Sequence, residues 1–279
     1  MTCSISEAVT AAAKRFHAAG VENPATDAWR LAGEAYGRIH GLQQLVPHER
    51  IDPDTARLLG DWFDQRERRR PVSQIVGRRL FRNLEFFVTS DVLDPRPESE
   101  VLVEAGVNRC PERILDLGTG SGCLLLSLLA ELPGAEGVGI DSSEAALQVA
   151  QENSKRIGLC GRARFHRSDW YSAISGQFDL IVSNPPYLTE SEFNRSPEEL
   201  RWEPQQALTV GGDGLSPYRT IAAGANRHLA SGGCLLLEIG VGRLDQVSRI
   251  VTQFALCVEE VHFDLDRRPR AVSCMVRGL

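Results

Sequence analysis

One short stretch combines a buried strand with a rigid set of hydrogen-bond acceptors. The apolar run 178–182 is followed by Asn184, Pro185, Pro186 and Tyr187. Each proline disfavours helical backbone in the residue before it and lacks an N–H, so the chain stays extended and strand pairing ends. The Asn184 side-chain oxygen and the Pro185 carbonyl could hold both hydrogens of a planar NH2 group, with Tyr187 against one face. A strand that simply ends at a proline would give the same local pattern.

Two further features indicate a nucleoside-containing cofactor. One is the glycine-rich turn after the strand 114–117, which consists of Gly118, Thr119, Gly120, Ser121 and Gly122. The other is Asp141, which ends the strand 136–140 and could accept hydrogen bonds from a ribose. A glycine turn lets the backbone approach a ligand closely at a helix N-terminus. These two features do not separate NAD from S-adenosylmethionine. The pair of acceptors suits methyl transfer to an amide or amine, whereas hydride transfer has no use for it.

The composition excludes several classes of protein. The chain has 279 residues, 42% hydrophobic residues and a net charge of −6, which argues against a general nucleic-acid binder. The seven cysteines are dispersed and the six histidines show no metal-ligand spacing, so we expect reduced thiols, no metal and a cytoplasmic protein. We find neither a signal peptide nor an apolar run that could span a membrane. The arginine-rich segment 66–82 is either a solvated helix end and linker, or a contact strip for an acidic partner or RNA.

Residues 1–70 are expected to be entirely helical. The helix signals are caps or apolar spacing at Ser6, near Pro24, around Leu42 and Leu45, and at Asp52-Pro53. This region lacks residues suited to catalysis, so we predict a helical substrate-recognition domain over 1–70. A linker with a β-hairpin around Arg82-Asn83 follows over 71–97, and a catalytic domain occupies 98–279.

From residue 113 onward, strand and helix patterns alternate. The expected strands are 114–117, 136–140, 163–167, 178–182, 234–239, 258–263 and 271–276. This alternation predicts an α/β fold with a Rossmann-like, mostly parallel sheet and helices on both faces. Ligands of such sheets bind at the carboxyl ends of the strands. The glycine turn, Asp141 and the Asn-Pro-Pro-Tyr stretch would therefore lie at one edge.

Taken together, these motifs resemble the release-factor N(5)-glutamine methyltransferases over nearly the whole chain. The resemblance is carried by the helical N-terminal region, the segments 71–77, 95–100, 116–122 and 184–187, and by Asp169-Trp170, Glu203-Pro204 and Ala207-Leu208. The departures are small: Ser99 stands where the family usually has Thr, Asp94 where it has an aliphatic residue, and Arg82-Asn83 replaces an aromatic-Gly pair.

The resemblance implies a reaction and a set of site residues. The enzyme would be an S-adenosylmethionine-dependent methyltransferase that methylates the glutamine of the Gly-Gly-Gln motif in peptide-chain release factors. We expect it to be a monomer. The cofactor would contact residues 118–122, Asp141, Trp170 and Asn184. Asn184, Pro185, Pro186 and Tyr187 would hold the glutamine, and Asn184, Pro185 and Tyr187 would act in catalysis.

Three alternatives remain open from the sequence. The same chemistry could act on a glutamine of a ribosomal protein. The Asn-Pro-Pro-Tyr stretch could instead hold a flipped adenine or guanine amino group, although the acidic balance and the lack of a large basic domain argue against a nucleic-acid substrate. A non-catalytic cofactor-binding module is disfavoured because that stretch is intact.

Overall fold

The computed structural model describes residues 3–41 and 43–277. The chain divides into two compact units, Met1–Arg78 and Arg79–Leu279. Within the described residues, none of the helices combines the length and the apolar character needed to cross a bilayer.

The first unit contains four described helices. They are α1 (Ile5–Ala18), α2 (Pro24–His40), α3 (Pro53–Glu67) and the short α4 (Val72–Val76). Asp52 caps α3 by accepting from two backbone N–H groups, as its position before Pro53 predicts. The predicted cap at Ser6 is wrong. The cap is Ser4, whose hydroxyl accepts from the Glu7 backbone N–H while the Glu7 carboxylate accepts from the Ser4 N–H.

The predicted segment around Leu42 and Leu45 is not a helix where it is described. Leu42 lies outside the described residues, and residues 43–46 have no regular secondary structure. The half-buried Leu45 packs against the apolar core of the unit, so its apolar character reflects burial within an irregular segment. That core includes Val9, Phe16, Leu31 and Trp62.

The arginine-rich segment 66–82 makes many contacts inside the units. Buried Arg66 pairs with Asp27 at 2.8 Å, and Arg78 pairs with Glu34. In the second unit, the Arg79 guanidinium donates to the Pro95 carbonyl, and Arg82 pairs with Glu131 at 2.7 Å. These contacts favour a helix end and linker over a contact strip for RNA, although Arg66 is buried and not solvated as predicted.

The second unit begins with a hairpin and a helix start. β1 (Arg78–Phe81) and β2 (Leu84–Phe87) pair around the predicted turn, where Arg82 has a positive φ of 50°. A 3-10 turn (Pro97–Ser99) then leads into α5 (Glu100–Val107).

A seven-stranded sheet forms the centre of this unit. Its strands are β3 (Arg113–Leu117), β4 (Glu136–Asp141), β5 (Ala163–Arg167), β6 (Phe178–Ser183), β7 (Leu229–Glu238), β8 (Leu256–Phe263) and β9 (Pro269–Val276). The connecting helices are α6 (Cys123–Glu131), α7 (Glu144–Ile157), α8 (Glu190–Arg195), α9 (Ser216–His228) and α10 (Leu244–Gln253). The strand order is β5-β4-β3-β6-β7-β9-β8, and β9 runs antiparallel to both of its neighbours.

Alternate residues of the central strands face two separate apolar cores. Leu180 and Val182 of β6 join one core, whereas Ile181 joins the other. A strand buried on both faces is what a continuous apolar run predicts. The predicted fold class is thus confirmed. The sheet order reverses around β3, because β4 lies on one side of it and β6 on the other, and ligands bind at the carboxyl edge near such a point. Helix α8 and the extension of β7 back to Leu229 were not predicted.

Candidate active site

The loops that follow β3, β4, β5 and β6 line a cavity of about 240 Å³ at the carboxyl edge of the sheet. The predicted site residues that line it are Gly118, Gly120, Asp141, Trp170, Asn184 and Pro186. The other predicted site residues, which lie next to these in the chain but do not line the cavity formed by the described residues, are Thr119, Ser121, Gly122, Pro185 and Tyr187. Residues 91–93 and four residues between 204 and 210 also line the cavity.

The glycines of the turn after β3 serve two different purposes. Gly118 and Gly120 have φ values of 74° and 53°, and a Cβ on either would meet no heavy atom within 4 Å. Their left-handed backbone requires glycine, and the space beside them is open to a ligand. Gly122 has a φ of 79°, but its Cβ would crowd Leu126 and Ala150 at 3.1 and 3.3 Å. Gly122 therefore allows close packing of helices α6 and α7.

Asp141 stabilises the turn as well as facing the cavity. Its carboxylate accepts from the Gly120 N–H at 3.0 Å and from the Ser143 N–H at 2.9 Å. Each carboxylate oxygen has a second lone pair, so hydroxyl groups of a ligand can still bind there. The acid thus ties the end of β4 to the turn after β3.

Asp116 and Thr119 form a buried pair below the turn. The Thr119 hydroxyl donates to the Asp116 carboxylate at 2.6 Å. Burial raises the pKa of Asp116 to about 7, although the bond from Thr119 opposes that shift. The Thr119 side chain therefore stabilises the end of β3 and does not line the cavity.

Asn153 on α7 is a site residue that the sequence did not reveal. It is fully buried, and its side chain accepts from the Phe87 N–H at 2.7 Å. It also donates to the carbonyls of Phe87 and Ser121 at 3.0 and 2.9 Å. One amide thereby joins the hairpin to the glycine turn. An asparagine on the apolar face of an amphipathic helix was the available signal.

Three contacts hold the end of β6 and the residues that follow it. The Ser183 hydroxyl donates to the Leu117 carbonyl at 2.7 Å and holds the ends of β6 and β3 together. The nitrogen of the Asn184 side-chain amide donates to the Ser99 hydroxyl at 3.0 Å. The oxygen of the same amide therefore points to the side away from Ser99. The Tyr187 ring packs on Gly240, and burial raises the pKa of its phenol to about 12.

Glu203 connects the loop after β6 to the segment before α5. It is buried, and it accepts from the Arg96 guanidinium at 2.5 Å and from the Asp94 backbone N–H at 3.1 Å. Burial raises the pKa of Glu203, while Arg96 opposes the shift. Arg96, held between two prolines, thus has a structural partner, which the sequence did not indicate. The pairing ties together the two segments that carry the cavity-lining residues Leu93 and Pro204.

These loops define a class of enzyme, and the comparisons name its family. Two family models match the chain: "Methyltransferase small domain" over residues 89–216 and "PrmC N-terminal domain" over residues 7–77. Among solved structures, a methyltransferase from Pyrococcus furiosus superimposes with a TM-score of 0.56 at 17% identity, covering 71% of this chain and 91% of that one. The protein is a methyltransferase.

Relatives give the particular family. The release factor glutamine methyltransferase of Rhodospirillum rubrum is 44% identical over 268 residues, covering 95% of this chain and 82% of the relative. That of Cereibacter sphaeroides is also 44% identical over 268 residues, covering 96% of each chain. The chain belongs to the release factor glutamine methyltransferases, and the predicted family is confirmed.

Proposed function

We propose that this enzyme transfers the methyl group of S-adenosylmethionine to the side-chain amide nitrogen of the glutamine in the Gly-Gly-Gln motif of peptide-chain release factors. The observation that carries the proposal is that Asn184 and Pro186 line the same cavity as Gly118, Gly120 and Asp141. Its relatives are named for the same activity. We also propose that the enzyme works in the cytoplasm, where release factors act, and that it is a monomer.

The cavity has the features that S-adenosylmethionine requires. The open space beside Gly118 and Gly120 allows a ligand to approach the backbone, and Asp141 presents acceptor capacity for the ribose hydroxyls. Trp170 offers an aromatic surface at the same cavity for the adenine. When bound, the cofactor supplies a methyl group that is activated by its sulfonium charge.

The task of the protein residues is to orient the glutamine. An amide nitrogen is a poor nucleophile because its lone pair is delocalised into the carbonyl. The Asn184 side-chain oxygen and the Pro185 carbonyl accept the two amide hydrogens, which favours the positive charge that develops on nitrogen in the transition state. Pro186 and Tyr187 form the wall beside the amide. Alignment of this kind is a major source of rate enhancement in bimolecular transfers.

The helical unit serves to recognise the release factor. This unit has an apolar core of its own. It supplies none of its described residues to the cavity, because all of the residues that line the cavity lie beyond residue 90. A stable protein–protein interface needs about 800 Å² on each partner, more than the entrance of one small cavity offers.

Truncation tests the role of the helical unit. A chain that begins at Arg78 keeps the complete hairpin and sheet, and we expect it to bind S-adenosylhomocysteine as the full chain does. It should methylate intact release factor far more slowly, while a Gly-Gly-Gln peptide remains an equally poor substrate for both. Circular dichroism establishes that the shortened chain is folded. Equal rates on intact release factor would assign the helical unit a purely structural role.

The substrate itself is tested with labelled S-adenosylmethionine. We expect methyl incorporation into a release factor and none into a release factor whose Gly-Gly-Gln glutamine is replaced by alanine. Ribosomes and double-stranded DNA are incubated in parallel. Incorporation into a ribosomal protein or into adenine, with none into release factor, would contradict the proposal and support one of the alternative substrates.

A further inference from the structure

Three side chains from distant parts of the chain form a hydrogen-bonded row beside the cavity. The Asn184 amide nitrogen donates to the Ser99 hydroxyl at 3.0 Å, and the Ser99 hydroxyl donates to the Glu238 carboxylate at 2.5 Å. Ser99 ends the 3-10 turn before α5, and Glu238 is the last residue of β7. Both Ser99 and Glu238 are 2% exposed. Burying a carboxylate costs free energy. The burial of Glu238 at the end of a central strand, linked through Ser99 to Asn184, therefore needs an explanation.

The charge on Glu238 fixes the direction of both hydrogen bonds. An ionised carboxylate can only accept, so the Ser99 hydrogen must point toward it. The remaining lone pairs of the Ser99 oxygen then accept, and only the nitrogen of the Asn184 amide can donate to them. The oxygen of that amide is consequently turned to the opposite side.

We propose that Glu238, acting through Ser99, holds the Asn184 amide in the orientation that presents its oxygen to the substrate. Glu238 and Ser99 are positioning residues for the reaction, since neither needs to touch the substrate. This inference rests on the proposed function, in which the Asn184 oxygen accepts a hydrogen of the glutamine amide. A flipped Asn184 would place its own NH2 group against the substrate NH2 group, and two donors cannot form a hydrogen bond.

Protonation of Glu238 allows both hydrogen bonds to reverse their direction. A neutral carboxyl group can donate to Ser99, and Ser99 can then donate to the Asn184 oxygen, which removes that oxygen from the substrate. Burial raises the pKa of Glu238 to about 7, whereas the Ser99 bond lowers it. The orienting form is the carboxylate, so activity should rise as the pH increases through this pKa.

Other charged groups face Glu238 and set the position of this transition. Arg270 and Arg96 favour the carboxylate, and Glu98 disfavours it. The phenols of Tyr187 and Tyr218 also lie close, and the Tyr218 hydroxyl donates to the Glu238 backbone carbonyl at 3.0 Å. Arg270 is largely buried and belongs to β9. Loss of its charge in R270M should therefore move the acid side of the pH profile to higher pH.

The test compares S99A, S99T and E238Q in the full-length enzyme. Measurements are kcat and KM for intact release factor from about pH 5.5 to about pH 9, and the affinity for S-adenosylhomocysteine by calorimetry. S127A is the matched control, because Ser127 is an equally buried serine on α6, away from the cavity. Circular dichroism is recorded for every variant.

Specific results are expected for each variant. At pH 8, S99A and E238Q should lower kcat by about ten- to a hundredfold, somewhat less than loss of a whole preorganised group. S99T keeps the hydroxyl and should remain within about threefold of the original kcat, and all variants should retain the affinity for S-adenosylhomocysteine. E238Q should also lose the rise of kcat near pH 7, since glutamine cannot ionise. S127A should match the unchanged enzyme.

Two outcomes separate this inference from the proposed function. If E238Q keeps both the full kcat and the acid side of the pH profile, or if S99A is as active as S99T, the positioning role is wrong. The proposed function survives those results as long as N184A loses most of its kcat. If N184A is fully active, the Asn184 acceptor itself is wrong, and the inference fails with it. Should E238Q not fold, the comparison of S99A with S99T still decides the matter.

Discussion

The side chain of Asn153 offers a direct test of what holds the glycine turn in place. The N153A change removes the side-chain partner of three backbone groups: the partly buried N–H and carbonyl of Phe87 and the buried carbonyl of Ser121. A buried polar group that loses its partner costs about 1–3 kcal/mol. Two of the three groups are only partly buried, so the low end of this range applies, and the three losses together amount to about 2–3 kcal/mol. That is a large part of the roughly 5–15 kcal/mol that typically stabilises a domain.

Urea unfolding followed by circular dichroism measures this loss, with N226A as the matched control. Asn226 is exposed and donates one hydrogen bond to the Phe254 carbonyl at 2.7 Å, so its loss should cost less than about 1 kcal/mol. Below the unfolding transition, N153A should also bind S-adenosylhomocysteine several times more weakly, because the Ser121 carbonyl no longer anchors the turn. An unfolding free energy within about 1 kcal/mol of the original would refute the account of Asn153 as the link between hairpin and turn.

Three further changes test the site. N184A should remain folded and lower kcat by about 10²–10³, because one preorganised acceptor is lost; unchanged turnover at saturating substrate would contradict the orienting role. D141A should weaken S-adenosylhomocysteine binding by about ten- to a hundredfold in calorimetry, since charge-assisted hydrogen bonds contribute about 1.5–3 kcal/mol each; an unchanged affinity would remove Asp141 from the cofactor site. Because the pKa of Asp116 is raised to about 7, the folded chain keeps a proton between about pH 4 and about pH 7 that the unfolded chain has released. The contribution of Asp116 to the unfolding free energy is therefore largest below about pH 4, and it is lost as the pH rises to about 7. D116N should therefore flatten the decrease in unfolding free energy between these pH values, and an unaltered slope would show that Asp116 titrates normally.

The sequence was sufficient for the parts of the fold that depend on local chemistry. A cap followed by proline located α3 at Asp52-Pro53, and two prolines in succession placed the end of β6 within one residue of the observed end at Ser183. The strand and helix spacing from residue 113 onward predicted the order of the elements, because burial of one helix face or of both strand faces leaves a periodic pattern. The cap at Ser4 was missed because Ser4 and Ser6 are both suitable residues, and only the capping box with Glu7 distinguishes them.

The residues that support the site depended on contacts between distant segments. Ser99 and Glu238 are 139 positions apart, and Glu203 lies 107 positions from Arg96. The identity of a polar residue does not show whether tertiary packing buries it or leaves it exposed to water. Nothing local therefore distinguishes Glu238 from a surface acid.

What the sequence by itself determined was the family, the order of strands and helices, and the loops that carry the chemistry, because backbone preferences and motif spacing are local properties of the chain. The tertiary structure alone decided which of those residues line the cavity, and it separated Gly118 and Gly120 from the packing residue Gly122. It also decided which way the Asn184 amide points. That orientation depends on a buried carboxylate that only the folded sheet brings within reach, because the end of β7 meets the start of α5 solely through the packing of the two elements.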